Sequence, residues 1–246
     1  MRLLDNAVDE VLRAQEETEK PLAIIVAGHN GSGKSTMWNK RLSNRLQIPL
    51  INADRMMLSI LPEPNSQGAL VEWAQTLRDT DESWMKVAQS GVQAFVGHAM
   101  VAQVPFAMET VFSHWRPRPD GTFESKIDDI RNLQEAGYFV LLLFVGLANA
   151  GLSVLRVQTR VAENGHDVPP DKLLQRFPRT QAAIRQASSV ADATIFTDNS
   201  RGPKEAFTVC RVQLGTREVF DLRSGPDLPL APGIAQWMEI VCPREQ

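Results

Sequence analysis

One segment of the chain, Gly28–Ser35, has residue types and a spacing that can hold phosphate groups. It reads Gly-His-Asn-Gly-Ser-Gly-Lys-Ser, which is a complete phosphate-loop pattern, and it follows the apolar run 22–27. The glycines allow backbone N–H groups to converge on a phosphate, Lys34 can reach the β and γ oxygens, and the hydroxyl of the last serine can bind Mg²⁺. The segment therefore predicts a nucleoside-triphosphate site. Because the loop works through its backbone, we expect the His29 side chain to face solvent.

Polar residues at the ends of predicted strands are the next candidates, because ligands collect at the carboxyl ends of parallel strands. One strand ends near Asp54, another at Glu109 and Thr110, and a third at 198–200. Asp54 can accept the proton of an attacking hydroxyl, and Glu109 can orient that hydroxyl or a water molecule on Mg²⁺. Taken singly, each residue has helix capping as an equal alternative. The two carboxylates together, beside a phosphate loop, favour chemistry.

An arginine-rich segment near the middle of the chain predicts a lid. Arg156 and Arg160 are four residues apart and so project from one helix face, while Arg176 begins the next helical face. Asn-Gly and Pro-Pro pairs interrupt the helical pattern between the two helices. Guanidinium groups on such a lid can close over a transferring phosphoryl group. We therefore predict a mobile lid over Glu163–Asp171, with a solvated helix of Glu/Arg pairs as the alternative.

Short apolar runs alternate with longer helical stretches along the chain, which is typical of β-α-β units. The predicted strands are 22–27, 49–52, 105–109, 138–145 and 193–197. The predicted helices are 34–46, 67–101, 126–136, 148–163 and 172–187. Because the strands are runs of apolar residues between helices, they predict an α/β fold: a P-loop nucleoside-triphosphate-binding fold whose parallel sheet has helices on both faces.

The two ends of the chain add elements to this core, which spans about 20–205. Apolar residues at helical spacing predict an N-terminal helix within 1–20, and we expect it to pack on the edge of the sheet. The segment 206–246 predicts a β-hairpin followed by a short helix. The length of 246 residues suits one α/β domain, so we expect 1–246 to form a single domain.

Composition excludes several classes of protein. The net charge is −3, so the chain has no overall positive charge to bind a nucleic-acid backbone, and we expect no nucleic-acid partner. The two cysteines, Cys210 and Cys242, form no metal-binding pattern and indicate a reducing compartment. No apolar run approaches the length of about 18 residues that a membrane-spanning helix needs. We therefore expect a cytoplasmic protein without a membrane partner.

Five segments taken together resemble the zeta-toxin family of P-loop kinases. They are 27–36, Ile-Asn-Ala-Asp at 51–54, Glu-Thr-Val-Phe-Ser at 109–113, Gly-His-Asp-Val-Pro at 165–169 with Arg176, and Asp-Asn-Ser at 198–200. Their order and spacing match over roughly 20–205. The resemblance implies a nucleotide-kinase-like fold with a helical lid. It also implies phosphorylation of a small metabolite with ATP and Mg²⁺, best known for the sugar 3′-hydroxyl of UDP-N-acetylglucosamine.

The resemblance also assigns roles to the matching positions. Asp54 takes the place of the general base. Asp54, Glu109 and Thr110 are also the implied substrate-binding residues. Arg160 and Arg176 fall on the lid arginines and would act in catalysis with the loop lysine. The implied ATP-binding residues are Gly28, Asn30, Gly31, Ser32, Gly33, Lys34, Ser35, Thr36 and Asn199, with Ser35 also holding Mg²⁺. The implied partners are a UDP-sugar or another nucleotide-like acceptor and, for the toxin of a toxin-antitoxin pair, an antitoxin protein.

Three classes of function are compatible with these residues. A small-molecule kinase fits the lid arginines and the Asp/Glu pair, which suit transfer to a hydroxyl of UDP-N-acetylglucosamine or of another nucleotide or cofactor. An ATPase or nucleotide switch would want an acid at the end of a hydrophobic strand, but strand 138–145 is followed by Gly-Leu-Ala. A binding module with a degenerate site disagrees with the intact Lys34, Ser35 and Asp54. The residues therefore favour the kinase.

Overall fold

A computed structural model describes residues 3–163, 165, 167–225 and 230–244 of the chain. The α-helices among these residues are α1 Leu4–Glu16, α2 Lys34–Met37, α3 Ser43–Leu46, α4 Ala53–Ser59, α5 Glu72–Thr80, α6 Glu82–Ala102, α7 Ile127–Glu135, α8 Ala150–Ala162, α9 Pro170–Ala187 and α10 Pro232–Val241. The strands are β1 Leu22–Gly28, β2 Leu50–Ile51, β3 Phe106–Thr110, β4 Trp115–Pro117, β5 Phe123–Ser125, β6 Phe139–Gly146, β7 Ala193–Asp198, β8 Thr208–Leu214 and β9 Arg217–Asp221.

The main sheet confirms the predicted α/β architecture. Within the described residues its seven strands run in the order β2-β3-β1-β6-β7-β8-β9. The first five are parallel to one another, whereas β8 pairs antiparallel with β7 and β9 antiparallel with β8. The C-terminal hairpin was predicted from sequence, but its place in the main sheet was not. The parallel strands bring their carboxyl ends to one edge, where the phosphate loop begins.

Helices cover both faces of the sheet, as the apolar strands predicted. Alternate residues of β1 belong to two separate apolar clusters, with Ile25 in one and Ile24 in the other. Every residue of β1, β6 and β7 is buried. Helix α1 packs mainly against β8 and β7, whereas the outer strands of the sheet are β2 and β9. The expectation that it packs on the sheet edge is therefore wrong, because the hairpin extends the sheet beyond the five parallel strands.

Two of the predicted helices have a different course in the structure. The predicted helix 34–46 contains a π-helical segment at Trp38–Leu42 between α2 and α3. The predicted helix 67–101 is wrong as one helix, because it divides into α5 and α6 at Asp81. The Asp81 carboxylate accepts the backbone N–H of Trp84 at 2.9 Å and caps the second helix. No helix in the described part of the chain, including the 21-residue α6, is long and apolar enough to span a membrane.

Candidate functional site

The phosphate loop joins β1 to α2, and its backbone takes the shape that its glycines permit. Gly31 and Gly33 have φ angles of 71° and 92°, in the left-handed region that other residues rarely adopt. Position 28 requires a glycine for steric reasons, because an added Cβ would lie 2.5 Å from the carbonyl oxygen of Val145. Thr36 follows in α2 and is exposed. The loop therefore has the tightly turned backbone of a phosphate site.

The Lys34 ammonium is the positive charge inside this loop. It is buried and donates to two carbonyl oxygens of the loop itself, each at 3.0 Å. Burial lowers the pKa of Lys34, whereas the carboxylates of Glu109 and Asp54 raise that pKa and the Arg160 guanidinium lowers it. The fold thus brings two predicted carboxylates and one predicted lid arginine into electrostatic range of the same ammonium.

Ser35 and Glu109 form a direct contact at the mouth of the loop. The Ser35 hydroxyl lies 2.9 Å from each carboxylate oxygen of Glu109. The parallel pairing of β3 with β1 sets Glu109 opposite Val26, which places its carboxylate beside the loop. These hard oxygen donors fit Mg²⁺, which keeps most of its waters and needs few protein ligands. Among the described residues, no group of three or more His, Cys, Asp or Glu is placed to hold a metal ion.

Asp54 lies in the first turn of α4, where its carboxylate is exposed. The sequence left helix capping as an alternative role for this residue. The cap of α4 is instead Asn52, whose side chain accepts the backbone N–H of Arg55 at 3.2 Å. Capping therefore does not account for Asp54. Its carboxylate stands at the carboxyl end of β2, close enough to Lys34 to act on the pKa of that ammonium.

Thr110 and Asn199 occupy the ends of two other strands. The Thr110 hydroxyl oxygen accepts the backbone N–H of Phe112 at 3.3 Å and so holds the turn that follows β3. Contact of Thr110 with a substrate stays a prediction. The side-chain amide of Asn199 donates to the carbonyl oxygen of Ser32 at 2.8 Å, and its backbone N–H donates to Gly146. Asn199 thus connects the loop after β7 directly to the phosphate loop.

Helix α8 also contacts the phosphate loop. The Ser153 hydroxyl donates to the carbonyl oxygen of Asn30 at 2.7 Å. The Cβ of Arg156 packs on Gly31, where an added Cβ would approach it to 3.0 Å. Arg156 is half-buried, and burial lowers its pKa. The sequence placed Arg156 in the lid helix but not among the catalytic residues, although its spacing from Ser153 and Arg160 puts all three on one helix face.

Arg160 and Arg176 are carried by different helices. Arg160 is exposed in the last turn of α8. Arg176 is half-buried on α9 and lines a narrow cleft with His29 and Asn30 of the phosphate loop. Burial lowers the pKa of Arg176, and the charge of Arg179 lowers it further. Arg176 therefore lies beside the phosphate loop, and Arg160 is near enough to Lys34 to lower the pKa of its ammonium.

The segment between these helices is described only in part, because Asn164 and His166 of the predicted lid lie outside the described residues. The backbone N–H of Gly165 donates to the carbonyl oxygen of Arg160 at 2.8 Å. Val168 is buried and belongs to a small apolar cluster with Val157 of α8 and Leu173 of α9. These contacts hold the base of the segment, and its mobility stays a prediction.

His29 does not face solvent, so that expectation was wrong. Its side chain is 2% exposed and stacks on Phe177 of α9, with ring centroids 3.8 Å apart and an angle of 10°. The His29 ring also packs against Phe144 of β6 in a T-shaped arrangement, with ring centroids 5.8 Å apart. Burial, together with the charge of Lys34, lowers the pKa of His29 to about 3, so the imidazole is neutral at pH 7. The error arose because α9 covers the loop, which a short motif cannot reveal.

Comparison with known protein families gives a direct assignment. The family described as Zeta toxin matches residues 6–202, which is most of the chain. The chain belongs to the zeta-toxin family. A protein of Haemophilus influenzae described as uncharacterized is 26% identical over 155 residues, covering 63% of this chain and 91% of that protein.

Solved structures support the same fold for this member of the zeta-toxin family. One, from the PezAT chromosomal toxin-antitoxin system of Streptococcus pneumoniae, has a TM-score of 0.54 and 14% identity over 98% of this chain and 88% of that chain. Another, the AvrRxo1-ORF1:-ORF2 complex with ATP, has a TM-score of 0.56 and 15% identity, and the match covers 99% of this chain and 71% of that chain. Identities this low establish the likeness of the folds alone.

The zeta-toxin match ends at residue 202, yet residues beyond it also reach the site. The ring of Phe207 lies against Gly33, where an added Cβ would be 3.4 Å from it. The indole N–H of Trp237 on α10 donates at 3.1 Å to the buried carboxylate of Asp198, which also accepts the Ser200 hydroxyl at 2.6 Å. Sequence reasoning missed these supports, because 39 residues separate the indole from its acceptor.

Proposed function

We propose that this zeta-toxin family member is a kinase that transfers the γ-phosphoryl group of ATP to a hydroxyl of a small metabolite. The observation that carries the proposal is the convergence of Asp54, Glu109 and Arg160 on the buried ammonium of Lys34. The exposed Asp54 carboxylate is not used as the cap of α4, so it can accept the proton of an acceptor hydroxyl, as transfer to a hydroxyl requires. Family membership and the likeness to the ATP-containing AvrRxo1 structure support a nucleotide-dependent phosphotransferase.

In the proposed reaction, Asp54 accepts the proton of the acceptor hydroxyl while the acceptor oxygen forms a bond to the γ-phosphorus. The bond from that phosphorus to the β,γ-bridging oxygen breaks, and ADP leaves. Lys34 balances the charge on the β- and γ-phosphates. Arg160 and Arg176 stabilise the negative charge that develops on the transferring group, because their guanidinium groups match phosphate oxygens.

The remaining site residues position the two substrates. Ser35 and Glu109 would hold Mg²⁺, which when bound neutralises part of the charge on the phosphates. Backbone N–H groups of the phosphate loop, fixed by the Asn199 amide, would bind the β-phosphate. Glu109 and Thr110 would also contact the acceptor beside Asp54, at the end of β3.

The best candidate for the acceptor is the sugar 3′-hydroxyl of UDP-N-acetylglucosamine. Its support is the family resemblance of the segments that carry Asp54 and Glu109. We further propose that the chain is a toxin with an antitoxin partner, since the Streptococcus pneumoniae structure belongs to a toxin-antitoxin system. ATP and UDP-sugars are cytoplasmic metabolites, so the proposal places the protein there, acting as a single domain over 1–246.

A direct test is to incubate the protein with Mg²⁺, ATP and a metabolite extract, and to identify by mass spectrometry which species gains a phosphoryl group. UDP-N-acetylglucosamine should gain one, and Lys34→Ala should abolish the gain. Phosphorylation of a different nucleotide or cofactor would correct the acceptor but keep the kinase. Release of ADP at the same rate with and without metabolites would instead favour the alternative, a P-loop ATPase or nucleotide switch.

A further inference from the structure

Helix α9, which carries Arg176, is attached to the phosphate loop by an aromatic stack. The rings of His29 and Phe177 lie face to face, with centroids 3.8 Å apart. Phe177 is the residue directly after Arg176, so the stack fixes α9 at the position from which the arginine projects. One turn further along, the Thr180 hydroxyl donates to the carbonyl oxygen of Val111 at 3.3 Å, which fixes the same helix to the end of β3.

The imidazole contributes to this stack through its faces. Neither ring nitrogen of His29 has a hydrogen-bond partner within the part of the chain that the structure describes, although both atoms are buried. Burial and the nearby Lys34 ammonium keep the ring neutral, so it adds no charge to the site. Stacking and burial are therefore the interactions that the side chain makes, and an aromatic ring without nitrogens could make them as well.

We propose that His29 is a positioning residue, whose ring holds Phe177 and thereby sets the place of the Arg176 guanidinium relative to the phosphate loop. The inference rests on the proposed function, in which Arg176 stabilises the transferring phosphoryl group. A guanidinium displaced by about 1 Å can lose on the order of 10²-fold in rate, so such positioning affects turnover strongly. The role belongs to this chain's own loop residue and not to the fixed positions of the phosphate-loop pattern.

The test compares His29→Ala with His29→Phe. His29→Ala removes the stack, so we expect kcat to fall by about 10- to 100-fold with a smaller change in the KM for ATP. His29→Phe restores an aromatic ring, somewhat larger than imidazole, that can stack on Phe177, and we expect its kcat to lie within about threefold of the wild-type value. In an Arg176→Ala background, His29→Ala should cause little further loss, because the group that it positions is already absent.

A second readout does not depend on turnover. Amide hydrogen exchange in residues 173–180 of the nucleotide-free protein should accelerate in His29→Ala and return towards the wild-type rate in His29→Phe. Ile184→Val, a buried change two turns further along α9, is the matched control and should leave kcat within about twofold. It separates loss of positioning from general loosening of the helix.

Three results would overturn the inference: unchanged exchange in His29→Ala, a kcat as low in His29→Phe as in His29→Ala, or fully additive losses with Arg176→Ala. The second result would instead assign a role to the ring nitrogens. If the wild-type protein transfers no phosphoryl group, the proposed function fails, while the exchange rates still decide whether the stack holds α9 on the loop.

Discussion

The helices on the two sides of the site differ in how firmly they are packed. On the nucleotide side, α9 has 18 residues and buries Leu173, Phe177, Thr180, Gln181, Ala183, Ile184 and Ala187. We call α4 to α6 the helical insertion; its longest member, α6, has 21 residues but buries Ala88 and Ala99 alone. Large apolar side chains are exposed along the insertion, at Leu58, Ile60, Val71, Trp73, Val87, Phe95 and Val101.

This difference separates a preorganised half of the site from an adaptable one. Burial and hydrogen bonds hold the phosphate loop, α8 and α9 together, so the groups that meet ATP need little rearrangement. Segments with few buried contacts open locally at lower free-energy cost. We therefore infer that the insertion adjusts to the acceptor or to a partner protein, while the nucleotide half stays fixed apart from the predicted lid at 163–171. The following predictions test that contrast, from the largest expected effect to the smallest.

The largest effect should come from Lys34→Ala, which removes the only side-chain cation of the phosphate-loop pattern. We expect phosphoryl transfer to fall by at least about 10³-fold and ATP binding to weaken, because both depend on charge inside the loop. Transfer is measured by mass spectrometry and affinity by calorimetry. Lys40→Ala, an exposed lysine of the adjoining π-helical segment, is the control. Undiminished phosphorylation by Lys34→Ala would refute the kinase proposal.

Asp54→Asn should separate chemistry from nucleotide binding. The amide has nearly the shape of the carboxylate but cannot accept the proton, so turnover should fall by roughly 10²- to 10⁴-fold while ATP affinity is kept. Glu72→Gln, in the exposed first turn of α5, is a matched control and should have little effect. A loss of less than tenfold, or a collapse of ATP binding, would make Asp54 a metal-site or structural residue.

Arg160→Ala and Arg176→Ala should each lower kcat by about 10²- to 10³-fold, and by more than they weaken ATP binding. The physical reason is that a guanidinium directed at developing charge acts mainly in the transition state. Steady-state kinetics and equilibrium titration with an ATP analogue provide the two quantities. Arg179→Ala, the exposed neighbour on α9, serves as the control. Equal losses in binding and turnover would show that the arginines only hold the ground-state nucleotide.

Hydrogen exchange can compare the two halves directly. A non-hydrolysable ATP analogue should slow exchange across 160–172, and further slowing should follow when the acceptor is added. Exchange in α6 should respond to the acceptor and not to the nucleotide alone. A segment 160–172 that is already protected in the nucleotide-free protein would exclude the lid. Equal responses of α6 to both ligands would remove the distinction between the halves.

The smallest effect is expected within the helical insertion itself. Asp81→Ala removes the cap of α6 and should lower the free energy of unfolding by about 1 kcal/mol, as measured by urea denaturation. ATP affinity should stay unchanged, since the cap belongs to the adaptable half. Asp81→Asn keeps a capping oxygen and is the control. A large loss of ATP affinity in Asp81→Ala would show that the two halves are coupled.

Residues close together in the sequence determined most of the fold and the identity of the nucleotide loop. The glycines and lysine of Gly28–Ser35 act within one turn of chain, so their pattern could be recognised directly. Apolar runs likewise located the strands of the main sheet to within a residue or two, as with the predicted 138–145 and the observed Phe139–Gly146, whereas the short pair β4 and β5 was not predicted. The break of the long helix at Asp81 was also a local signal, but it was overlooked in an otherwise helical stretch.

Only the tertiary structure decided which side chains meet around that loop. The burial of His29 depends on α9, nearly 150 residues away in the chain. The Arg156 contact with Gly31 and the Trp237 hydrogen bond to Asp198 likewise join distant elements. Burial, stacking and pKa shifts depend on all the residues that lie close in space. A sequence motif shows only the residues that are close along the chain. The sequence could therefore identify the chemistry of the loop, whereas packing of the sheet and helices selected the groups that surround it.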